Sequence, residues 1–244
     1  MNVHRTLATA GRVLNQLRHD PRTIALMLVV PCVLIGLLAW MFSGTDEFDQ
    51  IGAPLLGIFP FVVMFLVTSV ATLRERQSGT LERLLAMPLG KGDFVGGYAV
   101  AFGVMAVIQA VVASAFAIWV CGLDVAGPVW LLVGVALANA ILGCTLGLFV
   151  SAFAATEFQA VQFLPAVVLP QFLLCGLFLP RDQMPDVLHA ISDVLPLSYA
   201  VDAATAVTTN PEVTSGALAD IAVVLGFAVA AVVLGAATLR RRTP

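Results

Sequence analysis

Charge is the first thing this sequence lacks. Of its 244 residues only 11% are Asp, Glu, Lys or Arg, whereas 60% are apolar and the mean hydropathy is +0.99. A chain so poor in charge cannot bury its apolar surface inside a water-soluble globule, which leaves an integral membrane protein. The net charge of -3 argues against a nucleic-acid partner. Paired cysteines are missing too: Cys32, Cys121, Cys144 and Cys175 all lie in apolar runs, with no CxxC and no histidine at ligand spacing. They read as small core residues rather than a disulfide or metal site. A removable leader of the usual form is not expected, since the first long apolar run starts only after Arg22 and lacks a small-residue cleavage pattern.

Catalytic constellations are equally scarce. Gly90-Lys91 is followed by Gly92, and Leu85 stands where a P-loop requires glycine, so the chain carries no nucleotide-hydrolysing motif. His4, His19 and His189 fall outside the apolar runs and no Asp lies centrally within one, which argues against intramembrane proteolysis. Glu157, at a short turn, is the one acid near enough to a span to consider for proton coupling, and a turn suits it better than the bilayer centre.

What the sequence has in abundance is long charge-free stretches. Six spans, at about 24–42, 53–73, 95–120, 129–152, 160–179 and 219–239, the last charge-free from Ile221, approach or exceed the roughly 20 residues a helix needs to cross a bilayer. Continuous apolar runs lack the alternation of barrel strands, so the predicted fold is an all-α integral membrane protein with six spans, in a single domain over 1–244. Eleven of the twelve basic residues lie before span one, between spans two and three, or after span six; Arg181 alone falls on the other side. The positive-inside rule then puts both termini in the cytosol of a cell whose inner membrane holds the protein. Asp46, Glu47, Asp49, Asp124, Asp182, Asp186, Asp193, Asp202 and Glu212 face outward on this topology, as loop-solvating acids.

Residues 1–22 place Val3, Leu7, Ala10, Leu14 and Leu17 at alternating steps of four and three, the pattern of an interfacial helix lying on the membrane. An organelle transit peptide shares that look, but Asp20-Pro21 marks a turn and a span follows at once. In span five, Gln159, Gln162 and Gln171 accompany Pro165 and Pro170. Prolines free backbone carbonyls and glutamines can partner them, so these amides, with Gln109 and Asn139 in spans three and four, either line a translocation path or bond helix to helix. Gly143 and Gly147 form a GxxxG pair suited to close helix packing. Residues 180–216 are too polar to cross and too apolar for an ordinary loop. Val187, Leu188, Ile191 and Val194 recur at helical spacing, as do Leu197, Val201, Ala204 and Val207, predicting two short helices that dip into the outer leaflet or lie flat on it.

Residues 74–93 form a charged loop between spans two and three. Ser78, Gly79 and Thr80 offer helix-start chemistry, Leu81, Leu84 and Leu85 share one face, Glu82 suits the first turn, and Pro88 stops the helix. Taken alone, the loop is either a solvated turn or a docking element.

Two patterns in this chain resemble those of the ABC type-two export permeases, the daunorubicin-type drug-resistance permeases in particular: ERxxGTLExLxxxP from Glu75 to Pro88, and LPLSYAVD from Leu195 to Asp202. The resemblance extends over essentially the whole chain. It implies that the first loop is a coupling helix seated in an ATPase subunit, with Glu75, Arg76, Glu82 and Arg83 as polar contacts and Leu81, Leu84 and Leu85 as apolar ones, Gly79 and Thr80 shaping its start. It implies that the segment around Pro196, Leu197 and Tyr199 closes an outer exit. It also implies a second permease subunit, homodimeric or heterodimeric, and surrounding lipid, with no cofactor in this chain and ATP and Mg bound by the partner ATPase. The exported molecule would be hydrophobic or amphipathic, drug or lipid-like. The rival expectation is a non-transporting scaffold that recruits a cytosolic protein through the same loop; a secondary transporter comes third.

Overall fold

A computed structural model describes residues 2–43, 47–77 and 91–238 of the chain. Among them every regular element is helical: α1 (Val3–Arg18), α2 (Pro21–Met41), α3 (Glu47–Gln77), α4 (Lys91–Trp119), α5 (Val129–Ser151), α6 (Glu157–Leu174), a 3-10 turn (Arg181–Gln183), α7 (Asp186–Ser192), α8 (Pro196–Thr209) and α9 (Ser215–Thr238). Six of these, α2, α3, α4, α5, α6 and α9, are long and apolar enough to cross a membrane. Helices are the form such segments must take in hydrocarbon, because they satisfy their own backbone groups.

Local chemistry sets the starts and stops. Asp20 caps α2, accepting hydrogen bonds from the Thr23 amide at 3.2 Å and the Thr23 hydroxyl at 2.6 Å, with Pro21 in the first turn. Thr156 caps α6 through the Gln159 amide at 3.2 Å. The apolar run of span five continues past Leu174, but the helix ends there, and Gly176 turns the chain at φ +94°.

The molecule is built around α3, which packs most extensively on α5 and also touches α2, α4, α6 and α8. Gly143 and Gly147 lie one turn apart on α5 against the backbone of Phe61 and Phe65 in α3; a methyl group at either glycine would overlap the Phe61 or Phe65 carbonyl. The GxxxG pair is thus a close-packing seam. Dispersion at short range is what holds helices together in lipid, and bare backbone permits the closest approach.

The two ends of the bundle differ in charge. The basic end gathers α1, the start of α2 and the end of α3. The other, acidic end carries Asp49, Asp124 and the 181–209 segment. All three tryptophans are exposed at the acidic end: Trp40 closing α2, Trp119 closing α4 and Trp130 opening α5. That is the position of an aromatic belt at a membrane boundary.

The apolar stripe of α1 divides between bundle and surface. The face of α1 packed on the bundle is Thr6, Thr9, Ala10, Val13 and Leu17, while Val3 and Leu7 of the expected stripe are 74% and 56% exposed. Thr9 sits over Gly97 of α4, a fit that small and β-branched side chains allow and leucine would not. The outward apolar residues are left for lipid. Similarly, Val187, Leu188, Ile191 and Val194 around α7 face outward, whereas Leu197, Val201, Ala204 and Val207 bury α8 against the bundle.

The seam yields a paired expectation. Gly143→Ala costs about 1–3 kcal/mol through overpacking. Gly134→Ala, on the same helix with nothing within 4 Å of a new methyl, is neutral or stabilises by up to about 1 kcal/mol. Thermal unfolding of the two variants in one detergent checks the difference.

Candidate functional site

At the basic end, polar side chains join helices far apart in sequence. Arg12 of α1 donates from Nη1 to Glu75 Oε1 of α3 at 2.6 Å and from Nη2 to the Tyr98 hydroxyl of α4 at 3.1 Å, its guanidinium 6.0 Å from the Tyr98 ring centre. Glu75 is only 8% exposed, so this pair is screened less than a surface bridge. Burial works against the charge on Arg12, yet Tyr98 and Glu75 outweigh it and hold the guanidinium above its ordinary pKa. The same helix reaches α4 by a second contact: the Asn2 amide donates to Asp93 Oδ1 at 2.7 Å.

A third contact runs from α3 to α6. Arg74 binds Glu157 through Nε at 2.8 Å and Nη2 at 3.0 Å, a forked geometry. Beside it, Gln77 Nε2 donates to the Ala155 carbonyl at 2.8 Å, and the Ala155 amide donates to Gln159 Oε1 at 2.8 Å. The turn between α5 and α6 is therefore clasped to the end of α3. Residues 78–90 connect Gln77 to Lys91, and each flanking helix carries one grip from α1, at Glu75 and at Asp93. This arrangement is a clamp whose two jaws bracket the charged segment.

Of the residues singled out from sequence for docking, Glu75 is nearly buried and accepts from Arg12. The Arg76 side chain, and Gly79, Thr80, Leu81, Glu82, Arg83, Leu84 and Leu85, lie outside the described residues. The amides of the spans make separate local contacts. Gln109 is buried and donates to the Met27 carbonyl of α2 at 2.8 Å. Pro31, four residues on, supplies no amide to that carbonyl, so Gln109 replaces the missing donor. Gln171 donates to Val167 of its own helix at 2.9 Å. Gln159 caps a turn, and Gln162 is exposed. Asn139 is fully buried beside Gly57, with no hydrogen-bond partner for its amide among the described residues.

At the acidic end, Pro196 and Leu197 are buried, and the Tyr199 hydroxyl donates to the Asp193 carbonyl at 2.7 Å. Sequence reasoning passed over the residue that organises this end. Arg181, with a side chain 14% exposed, binds both Asp193 and Asp202 and lies 5.4 Å from the Tyr199 ring centre. Burial raises the Asp202 pKa above the usual carboxylate value, against the pull of Arg181. The signal available in sequence was that Arg181 is the lone cation on its side.

The profile of a family described as "ABC-2 type transporter" matches residues 5–208. The chain is 28% identical over 148 residues to the "Probable multidrug ABC transporter permease YbhR" of Escherichia coli (strain K12), covering 61% of this chain and 40% of that one. It is 24% identical over 214 residues to the "Linearmycin resistance permease protein LnrN" of Bacillus subtilis (strain 168), covering 87% and 55%. It is also 24% identical over 155 residues to the "ABC transporter G family member 20" of Dictyostelium discoideum, covering 64% and 21%. The aligned part thus spans between about a fifth and about half of these relatives.

The clamp's two ion pairs differ in burial and so in expected weight. Arg12→Ala takes the cation from a nearly buried carboxylate and costs about 1–3 kcal/mol. Arg74→Ala, from a pair 61% and 45% exposed, costs less than about 1 kcal/mol. Unfolding of both variants, with a double-mutant cycle on Arg12 and Glu75, measures the contrast.

Proposed function

This chain belongs to the ABC-2 type transporter family, and from that premise we propose that it is the membrane-spanning permease subunit of an ATP-binding-cassette exporter. A separate ATPase subunit, holding ATP and Mg, drives it. A second permease, identical or similar, completes the pathway, and both termini face the cytosol of the inner membrane. The substrate is a hydrophobic or amphipathic molecule, as the words multidrug and linearmycin resistance in the names of similar proteins encourage. The basic end is the ATPase side by the bias of Arg5, Arg12, Arg18, Arg22, Arg74, Arg76, Arg83, Lys91 and the terminal arginines.

The observation that carries this reading is the clamp. Segment 78–90 receives the thrust of ATPase closure, and the helices on both sides of it are tied to α1 through Arg12–Glu75 and Asn2–Asp93. A displacement there moves α3 and α4 together, and Arg74–Glu157 passes it to α6. Ion pairs and packed helices can have two discrete arrangements, which is what alternation between inward-open and outward-open states needs. Glu75 then acts inside the permease as the strap of the clamp, leaving Glu82, Arg83 and the leucines to meet the ATPase.

The test is co-purification with the ATPase followed by transport. Glu82→Arg combined with Leu84→Asp is expected to lower export at least tenfold while helicity and unfolding temperature stay unchanged. Unchanged export in that variant overturns the docking assignment.

A further inference from the structure

Between α1, α2, α3 and α4 at the basic end lies a cleft of about 350 Å³, within the range of small-molecule sites. Its two ends differ in character. Leu26, Leu66, Val67, Val70 and Phe102 form an apolar wall, while Gln16, Asp20, Thr23 and Arg74 stand at the polar end beside α1. The cleft also opens sideways. Leu26 is exposed, and it heads a stripe of exposed residues, Val29, Val33 and Leu37, that climbs α2 at helical spacing. A chain lying in the cleft would continue along that stripe.

Height and charge narrow the occupant. The outward Val3 and Leu7 of α1 set that helix at the boundary where an amphipathic helix rests, so the polar end of the cleft lies at headgroup level. The acids there are engaged inside the protein: Asp20 by Thr23, Glu75 by Arg12 and Glu157 by Arg74. Arg18 and Arg22 flank the cleft residues Leu17, Asp20 and Thr23 in sequence; both are exposed and neither forms an ion pair among the described residues. Uncommitted arginines next to an apolar slot favour an anionic headgroup over a neutral one.

We propose that this cleft holds one acyl chain of an anionic phospholipid from the surrounding leaflet, with its phosphate at the level of Arg18 and Arg22. The site rests on the membrane-spanning reading of the helices and not on which molecule is exported. A lipid seated there fills the space between α1 and α3 beside the Arg12–Glu75 strap, and so fixes how firmly the clamp closes.

Native mass spectrometry of the full chain, loaded from vesicles of phosphatidylglycerol or of phosphatidylcholine, tests this. One phosphatidylglycerol per subunit should survive detergent exchange, with retention at least fivefold above that of phosphatidylcholine. Val70→Trp, which fills the slot, should cut retention at least tenfold. Leu26→Trp, at an exposed position, serves the same purpose should Val70→Trp fail to fold. Arg22→Gln should reduce the headgroup preference to less than twofold. Equal retention of the two lipids overturns the anionic assignment. Undiminished phosphatidylglycerol in the folded tryptophan variants overturns the site, as does a tryptophan variant that loses dimers and keeps its lipid, which would give the cleft to a second copy of the chain. Loss of lipid with export and ATPase binding intact supports the site and leaves the exporter reading standing; failure of ATPase binding with lipid retained strikes only the exporter reading.

Discussion

Backbone-to-backbone contact between α3 and α5 is the constraint on which the remaining architecture depends. Water gives helices inside a bilayer no hydrophobic reason to associate, so adhesion comes from how near two backbones can come. Gly143 and Gly147 provide that nearness over one turn, opposite Phe61 and Phe65. With its middle fixed, α3 acts as a strut. Its basic end carries Arg74, Glu75 and Gln77, which reach α6, α1 and the turn at Ala155. At its acidic end Asp49 accepts the Asp124 amide at 3.0 Å, which ties it to the turn after α4. A force applied beyond Gln77 therefore meets a rigid lever rather than an isolated helix.

The six crossings were legible because the bilayer demands a length and an apolarity that few other structures need. Facing was less legible, for a reason peculiar to membranes. In water an apolar stripe marks the buried side of a helix; in lipid both sides can be apolar. Hence the apolar stripe of α1 divides: Ala10 and Leu17 join Thr6, Thr9 and Val13 against the bundle, where the fit over Gly97 depends on shape, while Val3 and Leu7 stay exposed. The principle that an amide can replace a donor lost to proline was also legible. Its location was not: span five holds two interior prolines and three glutamines, yet the pairing occurs between Gln109 and the Met27 carbonyl, 82 positions apart. Long-range ion pairs such as Arg12–Glu75 left no trace beyond the presence of charge at the ends of apolar runs. The described residues do not include most of the proposed docking segment; the clamp is built from its flanks.

The two ends of the molecule solve opposite electrostatic problems. The basic end has cations to spare and commits its acids one by one to nearby partners. At the acidic end the scarcity is reversed, and Arg181 is shared between Asp193 and Asp202 with Tyr199 against its face. Sharing one cation joins the 3-10 turn, the residue following α7, and α8 into a single unit, although α7 itself buries little. Charge thus organises both rims, while the middle of the bundle is held by shape.

The placement of the tryptophans carries an optical consequence. Trp40, Trp119 and Trp130 all stand exposed at one rim, so the intrinsic fluorescence of this protein is a one-sided gauge. Its emission colour senses the polarity of a single membrane boundary and is nearly blind to events at the opposite one. The two tyrosines, Tyr98 and Tyr199, are divided between the rims, which gives a natural donor far from the tryptophans and another beside them.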